Sequence, residues 1–311
     1  MKLLYYITQL IMFTTGKSFS LRQVDIFFSL GDSLTAGFGI LNNEFSKLDE
    51  YRGLSGFAGC DSNPYTLPNL IMNFTNKPLY GCSKGQHLAE ICYGYLCPPF
   101  QHRDQDFLNV AQSGAMVLNL DNQLDYLISQ FKQIDNWENK NKLGTLVIGA
   151  NDVCILSTTN YHDSLTLLFQ KIEKIPNLVL LVYPFFHISG IVNLSKQNKG
   201  CSTVNHVLGI ECPDAFILNN SHNMDKQMEL LNKALLETKS SNSIIKDIFM
   251  NKDISNAPPY FISLVDCFHI SLQAHQALSI NMWNSLFSEI DMDYFAEPVK
   301  GEDIDFRFVS Y

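Results

Sequence analysis

Ser33 is the residue of this chain whose surroundings most favour chemistry. It follows an apolar run at residues 24–30 and stands in the turn-forming sequence Gly31-Asp32-Ser33. A serine presented just after a buried strand can act as a nucleophile when a base lies within hydrogen-bond reach. The structural alternative is a plain strand-to-helix turn in which Asp32 or Ser33 caps the helix.

A carboxylate and an imidazole stand three residues apart near the other end of the chain. Asp266 and His269 follow a second apolar run at residues 260–265. An imidazole can take the proton of a serine hydroxyl, and a carboxylate can hold that imidazole in the required tautomer. The chain therefore offers a nucleophile, a base and an orienting acid in Ser33, His269 and Asp266.

Two blocks between these ends could supply hydrogen-bond donors to a developing oxyanion. Gly114 lies in the block at residues 109–115, and Asn151 lies in the block at 148–152. The backbone amide of Gly114 and the side-chain amide of Asn151 are suitable donors for acyl transfer. Taken separately, each residue also fits an ordinary turn or cap.

In this order the blocks resemble the GDSL or SGNH hydrolase family, and in particular its phospholipase B-like branch. The supporting stretches are GDSLTAGFG at 31–39, EYRGLS at 50–55, TLPNL at 66–70, IGANDVC at 148–154 and DCFHIS at 266–271. The resemblance implies a catalytic triad of Ser33, Asp266 and His269. It implies an oxyanion hole formed by Ser33, Gly114 and Asn151, and it calls for no cofactor and no metal.

The same resemblance implies that the substrates are acyl esters of phospholipids and lysophospholipids. Two alternatives stay open: an esterase acting on carbohydrate or small acyl esters, and an inactive secreted binding protein on the same scaffold. The second is disfavoured because all five catalytic-type positions are filled. No GxSxG sequence occurs, which argues against the nucleophile elbow of the α/β-hydrolases.

The elements that must position these residues alternate along the chain. Short apolar runs predict strands at 24–30, 107–111, 143–148, 178–183 and 260–265, and helical periodicity predicts helices at 119–134, 161–175, 222–239 and 272–289. Such runs without strict alternation are typical of a parallel sheet covered on both faces. We expect a three-layer α/β/α sandwich with a mostly parallel central sheet, the flavodoxin-like arrangement of SGNH hydrolases. Its ligand site should lie beyond the carboxyl ends of the strands.

Composition limits the partners. The chain has 311 residues, 46% of them hydrophobic, and contains no linker-like segment, which favours one domain at residues 21–311. A formal net charge of −9 disfavours nucleic acid and electrostatic docking to an anionic membrane. Contact with membranes or micelles should be at most peripheral, hydrophobic and local.

The N-terminus resembles a secretory signal peptide at residues 1–20, with a short apolar run closed by small residues. The alternatives are a buried N-terminal strand or a short membrane anchor. The protein should then be secreted or reside in the lumen of the secretory pathway. Sequons at Asn73, Asn193 and Asn219 would have meaning only on a glycosylating route.

Eight cysteines follow the proposed cleavage point, and an even number in an exported chain suggests disulfides. We expect bridges within the group Cys60, Cys82, Cys92 and Cys97, and a bridge between Cys201 and Cys212. Cys154 and Cys267 each adjoin an active-site block, and the sequence leaves open whether they are bonded. A zinc site is the competing interpretation, but no CxxC pair occurs.

Overall fold

A computed structural model describes residues 11–12, 18–41, 48–62, 65–92, 94–97, 102–154, 161–201, 212–216, 220–241, 243–245 and 254–286. Within them the strands are β1 (Ile11–Met12), β2 (Ser18–Phe19), β3 (Val24–Gly31), β4 (Asp49–Glu50), β5 (His87–Leu88), β6 (Asn141–Val147), β7 (Leu178–Val182) and β8 (Ser243–Ile245). Two short antiparallel pairs, β1 with β2 and β4 with β5, stand apart from the main sheet.

The main sheet has the strand order β3-β6-β7-β8, and all three pairings are parallel. Its register aligns Phe27 with Leu143, and Leu143 with Val179. Every residue of β7 is buried, as expected of a strand covered on both faces. The predicted strands at 24–30, 143–148 and 178–183 are confirmed.

Helices cover both faces of this sheet. They are α1 (Ser33–Ala36), α2 (Leu67–Thr75), α3 (Leu120–Phe131), α4 (Ala150–Cys154), α5 (Tyr161–Ile172), α6 (Ile188–Gln197), α7 (Pro213–Phe216), α8 (Ser221–Thr238) and α9 (Leu272–Ser285). Short 3₁₀ turns occur at Leu21–Gln23, Arg52–Leu54, Gly94–Leu96, Asp104–Asp106, Val117–Asn119, Trp137–Asn139, Lys199–Cys201 and Pro259–Phe261. The sequence predicted α3, α5, α8 and α9, but not the other helices of the described residues.

Successive residues of β3 show how the layers form. The Phe28 ring packs edge-on against Phe131 of α3, at 5.6 Å between centroids. The Ser29 side chain points to the opposite face, where its hydroxyl donates to the carbonyl of Phe57 at 3.3 Å. On the first face α5 packs against α3 and α8, and on the second α2 packs against α9. The predicted three-layer α/β/α fold with a parallel central sheet is confirmed.

Two predicted strands are wrong. Residues 107–111 make only an isolated parallel bridge, Ser29 with Asn109, because the chain turns just before it, at Phe107, with φ +51°. Residues 260–265 begin in the turn Pro259–Phe261 and then form one antiparallel bridge, Ile262 with Ile270. This second segment is therefore the base of a loop and not a strand of the sheet.

All eight cysteines form disulfides, which excludes the zinc interpretation. The bridges Cys60–Cys82 and Cys92–Cys97 confirm the pairing expected within the first group. The expected Cys201–Cys212 bridge is wrong: Cys212 bonds Cys154, and Cys201 bonds Cys267. The cross-pairing arises because the fold brings α7 next to α4 and the Lys199–Cys201 turn next to the loop containing Cys267.

Most of the proposed signal peptide, residues 1–10 and 13–17, lies outside the described residues, as do the sequon at Asn219 and residues 202–211 of the middle segment. The other two sequon asparagines, Asn73 and Asn193, are exposed on α2 and α6. In the part of the chain that is described, no helix is long and apolar enough to cross a bilayer.

Candidate active site

Ser33 is the first residue of α1, directly beyond the carboxyl end of β3. Asp32 caps this short helix, because its Oδ1 accepts the N–H of Leu34 at 3.0 Å. The capping predicted as an alternative is therefore present, and it coexists with an arrangement that brings Ser33 to a base. The sharp turn requires Gly31, where a Cβ would lie 2.4 Å from the carbonyl oxygen of Val147.

His269 is the base within reach of Ser33. Its Nε2 lies 2.6 Å from the Ser33 hydroxyl oxygen, and its Nδ1 faces Oδ2 of Asp266 in a hydrogen bond. With the ring hydrogen on Nδ1, His269 donates to Asp266 and accepts from Ser33. The structure thus brings together three residues that the sequence placed at opposite ends of the chain.

The Asp266 carboxylate is held by backbone donors as well as by the ring. Its Oδ1 accepts the N–H groups of Phe268 and His269, each at 2.9 Å. Burial alone would raise the pKa of Asp266, but the His269 charge and these hydrogen bonds hold it below its ordinary value. Asp266 is therefore ionised at neutral pH and can stabilise a charged imidazole.

Aromatic rings and a tether fix the position of the imidazole. The rings of Phe38 and Phe268 lie 4.7 and 5.4 Å from the His269 ring, centroid to centroid. The His269 carbonyl accepts the N–H of Ser263 at 2.8 Å. Sequence reasoning did not identify Phe38, although the residue stands in the GDSLTAGFG stretch. A ring so close to the imidazole restricts its rotation.

Gly114 lies in a loop that admits only glycine. Its φ is +84°, and a Cβ there would lie 1.5 Å from the carbonyl oxygen of Cys92. The N–H of Cys92 donates to the carbonyl of Ser113 at 3.0 Å, so the Cys92–Cys97 disulfide loop packs directly on this segment. Among the described residues, no acceptor takes the N–H of Gly114 or the N–H of Ser33.

Asn151 lies in the first turn of α4, beyond the carboxyl end of β6. Its side-chain Nδ2 donates one hydrogen to the carbonyl of Ala115 at 2.9 Å, which places the amide beside the Gly114 loop. Among the described residues, no acceptor takes the second hydrogen of this amide. The oxyanion role of Ser33, Gly114 and Asn151 stays a prediction.

Asp32 and Asp152 are buried beside these residues. Both Asp152 oxygens accept the N–H of Val117, at 3.2 and 3.0 Å. Burial raises the pKa of each carboxyl to about 7, and in Asp152 the neighbouring Asp32 charge adds to the rise. Asp32 therefore holds the turn before α1, and Asp152 holds the backbone of a distant segment.

His275 is a structural histidine. It is buried in α9, and its Nδ1 accepts the N–H of Gly56 at 3.2 Å. Burial, together with the His269 charge, lowers the pKa of His275 to about 3, so the ring is neutral. Within the described residues, no group of three or more His, Cys, Asp or Glu side chains could hold a metal ion.

A buried cluster of charged residues adjoins the Gly114 loop and was not identified from the sequence as chemically relevant. It includes Glu50 and Arg52, which stand in the EYRGLS stretch. The signal that could have revealed it is an acid and an arginine two residues apart in a stretch that resembles the family.

Comparison with known proteins gives the same family that the motifs indicated. The sequence-family model of GDSL-like lipases and acylhydrolases matches residues 27–281. The chain is 27% identical to mouse (Mus musculus) phospholipase B1, membrane-associated, over 307 residues that cover 87% of this chain and 20% of that protein. For the human (Homo sapiens) protein the identity is 26% over 300 residues, with coverages of 86% and 20%. The chain thus spans about a fifth of the length of these relatives.

Solved structures align with the chain at low identity. An extracellular lipase from Streptomyces rimosus aligns with a TM-score of 0.43 and 13% identity, over 84% of this chain and 100% of that chain. Phospholipase A1 from Streptomyces albidoflavus aligns with a TM-score of 0.43 and 16% identity, over 83% and 97%. The family match spans most of the chain and includes Ser33, Gly114, Asn151 and His269. The chain belongs to the GDSL-like lipase/acylhydrolase family of carboxylic ester hydrolases.

Proposed function

We propose that this protein is a serine esterase that hydrolyses acyl esters of phospholipids and lysophospholipids. One observation carries the proposal: the Ser33 hydroxyl lies 2.6 Å from Nε2 of His269, while Nδ1 of the same ring is bonded to Asp266. These contacts give the nucleophile a base, and they give the base an orienting acid.

In the first half of the reaction, Ser33 Oγ attacks the ester carbonyl carbon and its proton passes to Nε2 of His269. The carbonyl oxygen becomes an oxyanion. When the tetrahedral intermediate collapses, the bond to the leaving alcohol breaks and His269 returns the proton to that alcohol. The product of this half is an acyl ester of Ser33.

In the second half, water replaces the alcohol. His269 takes a proton from the water as its oxygen attacks the acyl carbon, and then returns that proton to Ser33 Oγ as the acyl bond breaks. A free carboxylic acid leaves, and the enzyme is regenerated. Throughout, Asp266 stays ionised and stabilises the imidazolium of His269.

The oxyanion would be met by the N–H groups of Ser33 and Gly114 and by the Asn151 amide. Two features support this assignment: the two N–H groups have no acceptor among the described residues, and the loop geometry at Gly114 requires glycine. Preorganised donors of this kind commonly make the largest contribution to acyl transfer.

Lipid substrates are supported by the relatives, which are named phospholipase B1 and are 26–27% identical to this chain. A net charge of −9 favours zwitterionic over anionic lipid surfaces, because anionic headgroups would be repelled. We therefore place phosphatidylcholine and lysophosphatidylcholine first among the substrates to be tested.

Export and a single domain are part of the proposal. Four disulfides join all eight cysteines, as is typical of proteins that fold in an oxidising compartment. One cluster of buried hydrophobic side chains extends from Val24 to Leu286, which supports a single domain over residues 21–311. N-terminal sequencing of the secreted protein would test cleavage after residue 20.

The deciding experiment measures hydrolysis of phosphatidylcholine, lysophosphatidylcholine and a short-chain aryl ester by the wild type, Ser33→Ala and Ser279→Ala. Ser279 is a matched control, since it is a buried serine whose hydroxyl bonds only within α9 and to Gly56. We expect fatty acid release by the wild type and Ser279→Ala, and none by Ser33→Ala.

Other outcomes would change the assignment. Activity on the aryl ester alone would keep the mechanism and reject lipids as substrates, in favour of carbohydrate or small acyl esters. A folded wild type that hydrolyses nothing and resists labelling by a fluorophosphonate would indicate an inactive binding protein on the same scaffold.

A further inference from the structure

Three charged side chains and a histidine are buried together, apart from the contacts of Ser33, His269 and Asp266. Glu50, Arg52 and Asp106 are each no more than 2% exposed, and His87 is 7% exposed. They come from β4, β5 and the 3₁₀ turns Arg52–Leu54 and Asp104–Asp106. Taking such charges out of water is costly unless they are paired and hydrogen-bonded. Charges buried at this cost point to a structural or functional role.

Each of the four groups contacts at least one other member of the cluster. The Nε and Nη2 atoms of Arg52 donate to Oε2 of Glu50 at 2.9 and 2.6 Å, and Nε lies 3.2 Å from Oδ1 of Asp106. His87 Nε2 lies 2.9 Å from the same Asp106 oxygen and 3.7 Å from Oε2 of Glu50. One further histidine faces the cluster, with His102 Nδ1 at 3.6 Å from Oδ2 of Asp106.

The oxygen of Glu50 that Arg52 does not use is bonded to the Gly114 loop. Oε1 of Glu50 accepts the hydroxyl of Ser113 at 2.5 Å, and Ser113 is the residue before Gly114. The charged network therefore reaches, through one hydroxyl, the peptide that carries the Gly114 N–H.

The other end of the same loop is held as well. Arg52 Nη1 donates to the carbonyl of Asn109 at 3.2 Å. The Asn109 side-chain amide in turn donates to the carbonyl of Thr35, in the helix that begins with Ser33, at 3.0 Å. The network thus connects the Gly114 loop at two points and joins it to the nucleophile's helix.

We propose that Glu50 and Ser113 are positioning residues that hold the Gly114 N–H in place as an oxyanion donor. The inference rests on the proposed esterase function. Neither side chain is in contact with Ser33, His269 or Asp266 among the described contacts, so neither acts on the reacting atoms. The Arg52 guanidinium lies against both Glu50 and Asp106 and offsets carboxylate charge that would otherwise oppose an oxyanion nearby.

The test compares Ser113→Ala with Thr145→Val. Thr145 is a matched control because it is also buried and its hydroxyl donates to the Ser29 hydroxyl and the Phe57 carbonyl, with no hydrogen bond to Glu50 or Ser113 among the described residues. For Ser113→Ala we expect kcat to fall about 10-fold to 100-fold with KM within twofold, because only the transition state carries an oxyanion. Thr145→Val should keep both constants within threefold of the wild type.

A trifluoromethyl ketone separates positioning from a general loss of stability. Addition of Ser33 to this ketone forms an oxyanion, whereas an alkyl ether analogue of the substrate has no carbonyl oxygen and binds without forming one. Ser113→Ala should lower the affinity for the ketone by about as much as it lowers kcat, and should leave the affinity for the ether within twofold. An equal loss of affinity for both ligands, or an unchanged kcat in a folded Ser113→Ala, would overturn the proposal.

Glu50→Gln provides a second variant and a double-mutant cycle. If the Ser113 hydroxyl acts through the Glu50 carboxylate, Ser113→Ala should cost less in the Glu50→Gln background than in the wild type. Strictly additive effects would show that the contact does not position the loop.

One measurement does not depend on catalysis. Amide hydrogen exchange over residues 109–116 should be faster in Ser113→Ala than in Thr145→Val or the wild type. If the wild type hydrolyses no ester but this exchange still rises, the esterase function fails while the positioning contact stands. If exchange is unchanged in Ser113→Ala, the positioning role is wrong whatever the activity.

Discussion

Cys267 lies between Asp266 and His269, and its sulfur is bonded to Cys201 at the end of the 3₁₀ turn Lys199–Cys201. The backbone of Cys267 has φ +60°, a region that side-chain-bearing residues seldom adopt. Its N–H donates to the carbonyl of Ser263 at 3.0 Å. The short loop that presents the acid and the base is thus held from outside by a covalent link.

Removing this link should impair both stability and turnover. Cys201→Ala with Cys267→Ala opens a loop of 66 residues, for which chain entropy gives a loss of about 4 kcal/mol in the free energy of unfolding. We also expect kcat for an aryl ester to fall at least 10-fold, because a misplaced base loses its geometry. Denaturant unfolding and steady-state kinetics measure the two effects.

The double variant Cys60→Ala with Cys82→Ala is the control for that experiment. It opens a loop of 22 residues away from the triad, with an expected loss of about 3 kcal/mol. If both double variants lose turnover equally under conditions where each is folded, the Cys201–Cys267 bond has no special role in holding the loop.

Asp266→Asn should lower kcat on the order of 10³-fold to 10⁴-fold while leaving the fold intact. The amide cannot hold the ring tautomer that directs Nε2 toward Ser33, nor stabilise the imidazolium. Hydrolysis of the aryl ester and circular dichroism provide the measurement. A rate equal to that of the wild type would indicate a Ser33–His269 dyad or a different acid.

Asn151→Ala tests the oxyanion assignment at a second donor, the side-chain amide that lies beside the Gly114 loop. Loss of one preorganised donor should reduce kcat on the order of 10²-fold to 10³-fold. A matched variant is Asn232→Ala, since the Asn232 amide is also buried but bonds to the backbone of Phe185. If kcat of Asn151→Ala stays within threefold of the wild type, the Asn151 side chain does not bind the oxyanion.

Asp32 should make stability fall as the pH rises. Burial raises the pKa of Asp32 to about 7, so the folded state holds a proton that the unfolded chain releases near its ordinary value of 3.8. This stabilising contribution is complete below about pH 4 and is lost as the pH rises through about 7. Asp32→Asn should therefore have a higher Tm than the wild type at pH 8, and the difference should shrink at pH 5.

Asp25→Asn serves as the comparison, because its change in Tm relative to the wild type should have the opposite sign. Burial tends to raise the pKa of Asp25. Two hydrogen bonds hold that pKa below its ordinary value: Nζ of Lys77 lies 2.5 Å from Oδ1 of Asp25, and the N–H of Asn141 donates to Oδ2. Asp25→Asn should thus have a lower Tm than the wild type at pH 7, with a gap that closes in acid. If the difference in Tm from the wild type varied with pH in the same way for both variants, the pKa shifts assigned to Asp32 and Asp25 would be wrong.

Elements that are decided by local pattern could be predicted. The strand at 24–30 and the helix at 119–134 correspond to β3 and α3, because a continuous apolar run or a regular helical stripe has one stable partner, the core. The runs at 107–111 and 260–265 have similar composition but form no strand. Whether these runs form strands depends on the turns at Phe107 and Pro259, and surrounding contacts set the geometry of those turns.

The disulfides also divide into those that local sequence predicts and those that depend on tertiary structure. Cys60–Cys82 and Cys92–Cys97 are close in sequence and pair as expected, whereas Cys154 and Cys267 pair with cysteines 58 and 66 residues away. Spacing along a chain cannot predict which distant segments meet after folding.

The sequence by itself determined the candidate reacting groups, since Ser33, Asp266 and His269 can be named from residue type, order and the ends of apolar runs. Only the tertiary structure decided how they are held. The 2.6 Å contact between Ser33 and His269 joins residues 236 positions apart, and the Glu50 carboxylate reaches Ser113 from a strand 63 residues earlier. Such contacts depend on how separate elements pack, and no local pattern in the chain encodes them.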